Sequence, residues 1–157
     1  MTSMTTDAVV VTVHVEATQQ RAFDVFTKEF GTWWPMEHHI GDGTAVDAII
    51  EPRVGGRWFE RLSDGTECEW GSVREWDSPS RVVLAWHLTP DFTYEPDPAM
   101  ATEVEVRFVA EGPATTRVEL EHRGFDVHGE QGVAMRNAVS APDGWGGIVR
   151  RYAAQAA

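Results

Sequence analysis

The residues of this chain that could move protons, attack a carbonyl or hold a metal are few: six histidines, one cysteine and scattered carboxylates. His122 is the foremost candidate. It ends a strand-like run, Thr115 to Arg123, on the face shared with Val118 and Leu120. An inward histidine can act as general acid or base for a cyclase or hydratase. The competing reading is a core histidine bonded to a backbone carbonyl. His38 and His39 follow a double tryptophan and lie near Glu37 and Asp42. Adjacent histidines usually point apart, and no His-x-x-x-His or Glu-x-x-His spacing supports them, so no metal site is assigned. His14 and His87 fall on outward faces, and His128 falls in a solvated loop.

Cys68 stands between Glu67 and Glu69. Flanking acids raise a thiol pKa, which makes it a poor nucleophile. One cysteine makes neither an internal disulfide nor a cysteine-based zinc site, and fits a reducing compartment. Gly55-Gly56 reads as a turn, because no phosphate-loop pattern surrounds it. No Ser-His-Asp arrangement can be assigned, and no cofactor is implied.

These residues need a scaffold. The chain has 157 residues, which fits a single domain over 1–157. A chain this long buries roughly 70% of its unfolded surface. Composition is ordinary for a globular protein: 42% hydrophobic, 24% charged and 10% aromatic, although seven tryptophans are many. The net charge of −12 repels phosphate backbones and argues against a nucleic-acid partner. Met1 to Thr6 has neither a basic nor a long apolar segment, so no secretory signal or membrane span is expected and the cytoplasm is the default location.

The pattern begins with a strand from Ala8 to Glu16. An amphipathic helix follows, capped by Thr18, carrying Ala22, Phe23, Phe26 and Phe30 on one face and ending at Gly31. After Trp33-Trp34-Pro35 and a loop to Gly43, the period becomes two. Strands are expected at 45–51, 57–62, 66–76, 81–88, 102–110 and 115–123. Gly129 to Ser140 is weakly helical, and a final helix capped by Asp143 carries Trp145, Ile148, Val149 and Tyr152 on one face. Strand, helix, six strands, helix is an α+β order with an antiparallel sheet.

Alternation assigns faces. Val82, Leu84, Trp86 and Leu88 share one face, opposite Val83, Ala85 and His87; Val104, Val106 and Phe108 share another. In the 57–76 hairpin a two-residue Asp64-Gly65 turn pairs Phe59 with Trp70. That puts Arg57, Phe59, Arg61, Cys68, Trp70, Ser72 and Arg74 inside and avoids burying Glu60, Glu67 and Glu69 unpaired. A bulge near Val73 would change this register. On this assignment Phe59, Trp70, Trp86, Phe108 and His122 line an interior beneath Trp145, with Trp33 and Trp34 as a lid. The same aromatics could simply fill a core.

Glu51-Pro52-Arg53-Val54-Gly55-Gly56-Arg57-Trp58, with Asp64-Gly65, Gly71-Ser72-Val73, Pro79-Ser80-Arg81-Val82-Val83 and Trp86 behind it, resembles the homologues of the activator of heat shock protein 90 ATPase. That family belongs to the START and Bet v-like helix-grip superfamily, SRPBCC. The resemblance spans about Val9 to Tyr152. It implies a curved antiparallel sheet of six or seven strands around a long C-terminal helix, with an internal cavity. Members include lipid carriers, hormone receptors and polyketide cyclases. The long acidic loop from Thr89 to Ala101 and the extra helical stretch near Val133 to Val139 depart from the usual pattern, at places that would shape a pocket mouth.

The expected function is binding of a small apolar or aromatic molecule, through Trp33, Trp34, Phe59, Trp70, Trp86, Phe108, His122 and Trp145. A polyketide cyclase or hydratase-like enzyme using His122 is the alternative. A structural or cochaperone-like interaction domain, such as a homodimer with a filled cavity, is the third reading.

Overall fold

The computed structural model describes residues 6–157, so the reading of Met1 to Thr6 falls almost wholly outside the described residues. Seven strands form one antiparallel sheet: β1 (Val9–Val15), β2 (Ala45–Ile50), β3 (Arg57–Leu62), β4 (Glu67–Asp77), β5 (Arg81–Trp86), β6 (Thr102–Gly112) and β7 (Thr115–Arg123). Their spatial order is β1-β7-β6-β5-β4-β3-β2. The β1–α1 segment, with α1 at Gln19–Thr27, carries the chain from one edge of the sheet to the other. α2 (Glu130–Ser140) and α3 (Trp145–Ala156) make a bent C-terminal helical segment in the grip of the curled sheet. The helix-grip expectation holds.

Thr18 caps α1 as expected, its hydroxyl accepting from Arg21 N at 3.2 Å. The helix ends at Thr27, earlier than Gly31, and Phe30–Thr32 form a separate 3₁₀ turn. α1 and α3 are tied at their faces: the Tyr152 hydroxyl donates to Ala22 O at 2.7 Å, and Arg21 Nε donates to Ala156 O at 2.7 Å. Phe26 lies between Phe108 and Tyr152, with ring centroids 5.8 and 5.1 Å away. This end of the molecule is solid core.

The 57–76 hairpin departs from its sequence reading. Leu62 N donates to Thr66 O and Gly65 N to Leu62 O, so the loop has three residues, not two. Gly65 takes φ +88°, the left-handed position that such a loop needs. Phe59 therefore pairs with Glu69. A bulge at Trp70 then restores the other parity, and Trp58 faces Gly71. A second shift, at Arg74, lies between Val73↔Leu84 and Glu75↔Val83.

The inner face of β3 is thus Trp58, Glu60 and Leu62. Phe59 points outward, covered by the Arg57 guanidinium 4.1 Å above its ring. Arg74 also points outward, to Glu103 at 2.7 Å. Cys68, opposite Glu60, and Trp70 are inward as expected.

Outside, the sheet carries a lattice of ion pairs. Arg81 binds Glu75, Asp77 and Glu105, while Arg123 binds Glu103, Glu105 and Glu121. Burial alone would raise the Glu105 carboxyl, but the Arg81 and Arg123 hydrogen bonds outweigh it and hold it at about 2. Val83 and Ala85 beneath are buried although they face outward, each 1% exposed. The stems of the long side chains cover them.

Candidate functional site

Between the sheet and the C-terminal helices lies a pocket of about 490 Å³, within the size range of small-molecule sites. Each wall has a local cause. Trp70 enters by alternation, two residues on from Cys68, which lies opposite inward Glu60. Trp86 comes from the alternation of β5. Trp145 opens α3, its backbone starting the helix after Gly144 without a side-chain cap, so Asp143 is at the rim and is not the expected N-cap. Trp34 stacks on Phe30 (5.0 Å, 23°), and its Nε1 donates to His38 O at 3.0 Å.

These four indoles are neighbours: Trp34 lies 5.1 Å from Trp70 and 6.1 Å from Trp145, and Trp86 lies 5.8 Å from Trp145. Each face offers a large, rigid apolar surface. Trp86 Nε1 is buried and has no hydrogen-bond partner among the described residues.

The structure brings together half of the residues the sequence selects. Trp34, Trp70, Trp86 and Trp145 line the pocket. Trp33 belongs to the core instead: it is 2% exposed, donates to Val25 O at 2.9 Å and packs on Phe26 and Tyr152. Phe108 lies inward but in the solid end, 5.2 Å from Phe23. Phe59 is on the opposite side of the sheet.

His122 is inward but enclosed, with no exposure. Trp145 Nε1 donates to its Nδ1 at 3.0 Å, and its Nε2 lies 2.8 Å from Thr102 Oγ1. An indole nitrogen can only donate, so Nδ1 is the acceptor and the ring proton of the neutral imidazole sits on Nε2, donated to Thr102. Burial lowers the His122 pKa to about 3. Both nitrogens are used, which removes the geometry expected of a pocket acid or base.

Glu37, His38, His39 and Asp143 give the pocket its polar lining, and Leu88, just past β5, and Phe92, from the acidic loop, line it too. That loop and the α2 stretch do shape the mouth, as their departure from the family pattern suggested. His128, expected in solvent, is half-buried, and burial pushes its pKa down.

Behind the wall sits Glu60, 1% exposed. Its carboxylate accepts from Trp70 Nε1 at 2.6 Å, Ile40 N at 2.7 Å and Gly41 N at 3.0 Å. Three donated N–H groups compensate its burial. The same bonds fix the 37–41 segment against the sheet. His39 Nδ1 is 3.0 Å from Gly41 O and 3.9 Å from Glu60 Oε2. Among the described residues no cluster of three or more His, Cys, Asp or Glu could hold a metal ion. No helix among the described residues is long and apolar enough to cross a membrane.

The chain can be set beside known proteins on this geometry. The profile of the family described as Activator of Hsp90 ATPase homolog 1-like protein matches residues 16–151. Among solved structures, the chain is similar to the anthrahydroquino-Gama-pyrone synthase Txn09 in complex with SUM. The two share 35% identity over 96% of this chain and 99% of that one, with a TM-score of 0.66. It is also similar to CalC of Micromonospora echinospora, a self-sacrificing resistance protein: 29% identity over 97% of this chain and 96% of that one, TM-score 0.68. An HSP90 activator of Plasmodium falciparum, PFC0360w, shares the fold at 20% identity over 74% of this chain and 72% of that one, TM-score 0.50. No curated protein matches the chain.

Proposed function

The chain belongs to the family of Activator of Hsp90 ATPase homolog 1-like proteins, and from that premise we propose that it binds a small, flat, apolar or aromatic molecule. The observation that carries the reading is the pocket of about 490 Å³ walled by Trp34, Trp70, Trp86 and Trp145. Four indoles give a planar ring system stacking and edge contacts that a rounded aliphatic chain would use less well. The unpaired Trp86 N–H would favour a ligand carrying an acceptor oxygen.

A second reading is favoured by one finding. Txn09, similar over nearly the full length of both chains, is a synthase. If this chain also converts its ligand, the imidazoles available to the reacting group are His38 and His39, which line the pocket, and not His122.

Titration with anthracene bearing a hydroxymethyl group tests the binding reading. Saturable quenching of tryptophan fluorescence at one equivalent is expected. Ala138→Trp, at an exposed α2 position that lines the pocket, fills the mouth and should abolish it without unfolding the protein. Equal binding by wild type and this variant would place the probe elsewhere and refute the reading.

A further inference from the structure

The pocket carries charge of one sign. Among the described residues lining it are Glu37 and Asp143 but no lysine or arginine. Both carboxylates are exposed at the rim, and neither forms an ion pair among the described residues. A third carboxylate lies behind the wall: Glu60, in contact with pocket residues Trp70 and Ile40 through the hydrogen bonds they donate. Its neighbours supply N–H dipoles and the nearby His39 imidazole, but no guanidinium or ammonium.

The bond from Trp70 Nε1 to Glu60 has an electrostatic consequence. An anion accepting an indole N–H increases the electron density of the ring, and the ring face is already the negative pole of the indole quadrupole. Trp70 therefore shows the pocket a face made more negative by a buried charge. Around it stand three more indoles, and beyond them two carboxylates. The whole chain adds a net charge of −12, which draws cations toward any opening.

We infer that the pocket selects cationic ligands: a planar aromatic molecule that bears an amine, held with its ring among the indoles and its ammonium toward Glu37 and Asp143. This rests on the binding reading above and names its ligand class. A carboxylated aromatic of the same shape is rejected, because its charge would face three carboxylates with no lysine or arginine among the described lining residues.

The test uses three matched probes: anthracene carrying a hydroxymethyl, an aminomethyl or a carboxylate group on its central ring. Calorimetric titrations at pH 8 keep histidine uncharged as a class. The ammonium probe should bind about tenfold tighter than the neutral one, and the carboxylate probe weakest. The double variant Glu37→Gln, Asp143→Asn should cut the ammonium preference, read as the ratio of the two affinities, to about threefold. Glu60→Gln should also reduce the preference, and the rim variant stands independently if Glu60→Gln fails to fold. Equal affinities for the three probes, or a preference for the carboxylate, would overturn the charge selection while the binding reading survives. No binding by any probe would overturn both.

Discussion

His122 and Glu60 are both ionisable, both inward and both almost wholly buried, yet the fold treats them oppositely. Glu60 receives three N–H donors. His122 is held neutral between Trp145 and Thr102, its pKa lowered by burial from 6.5 to about 3. The sign of its pH effect follows. The unfolded chain takes up a proton at His122 below about pH 6.5 and the native state does not, so stability is full above that value and declines as pH falls toward 3. His122→Gln should cost about 2 kcal/mol at pH 7, through the imperfect replacement of two buried hydrogen bonds. It should also flatten the decline in melting temperature between pH 6.5 and 4. A slope equal to that of wild type would mean that His122 is charged in the native state. The alternation of β7 made the inward placement of His122 legible in the sequence. Its enclosure was one of the two readings the sequence left open, but its partners were not legible, because the one on Nδ1 comes from Trp145, 23 residues along. Glu60 was misjudged for a similar reason. Its donors include backbone N–H groups of a loop, Ile40 and Gly41, and such donors leave no signature in side-chain pattern.

Among the elements, the β3–β4 hairpin decides which side chains reach the pocket. Strand positions, order and sheet type were readable from period-two runs, and β3 and β7 begin and end where the pattern does. The register was not. Asp64-Gly65 is compatible with a two-residue loop, and the three-residue loop puts Phe59 outside and Trp58 and Glu60 inside. Trp70, two residues on from inward Cys68, stays inward, and the bulge there brings Gly71 opposite Trp58. A glycine makes this bulge feasible. A Cβ on Gly71 would collide with the Ala85 carbonyl oxygen of the neighbouring strand, a backbone atom that cannot step aside. Gly71→Ala should therefore destabilise the protein by about 3 kcal/mol, read from chemical denaturation, as overpacking against backbone does. It should also weaken binding of the neutral anthracene probe, because Trp70 is displaced with the strand. A variant as stable as wild type would show that β4 tolerates a shift there.

On the scale of the whole molecule, the curled sheet divides its interior into two ends. One is solid, built on Phe23, Phe26, Phe108 and Tyr152. The other holds the pocket, beneath Trp145 and the acidic loop. The sequence disclosed the fold and the wealth of inward aromatics. It could not say which aromatics fall at which end, because that depends on how far α3 inserts between the walls of the sheet. The tryptophans themselves report the division. Seven indole N–H groups are present, and Trp34, Trp70, Trp86 and Trp145 line the pocket while Trp76 packs on Phe23 at 5.0 Å, in the solid end. The most direct measurement is an assigned nitrogen–proton NMR spectrum of the indole groups during titration with hydroxymethyl-anthracene. The account predicts saturable shifts of the Trp34, Trp70, Trp86 and Trp145 signals, smaller shifts of Trp33 and Trp58, and a stationary Trp76. Shifts confined to Trp76, or no saturable shift in any of the seven, would contradict it.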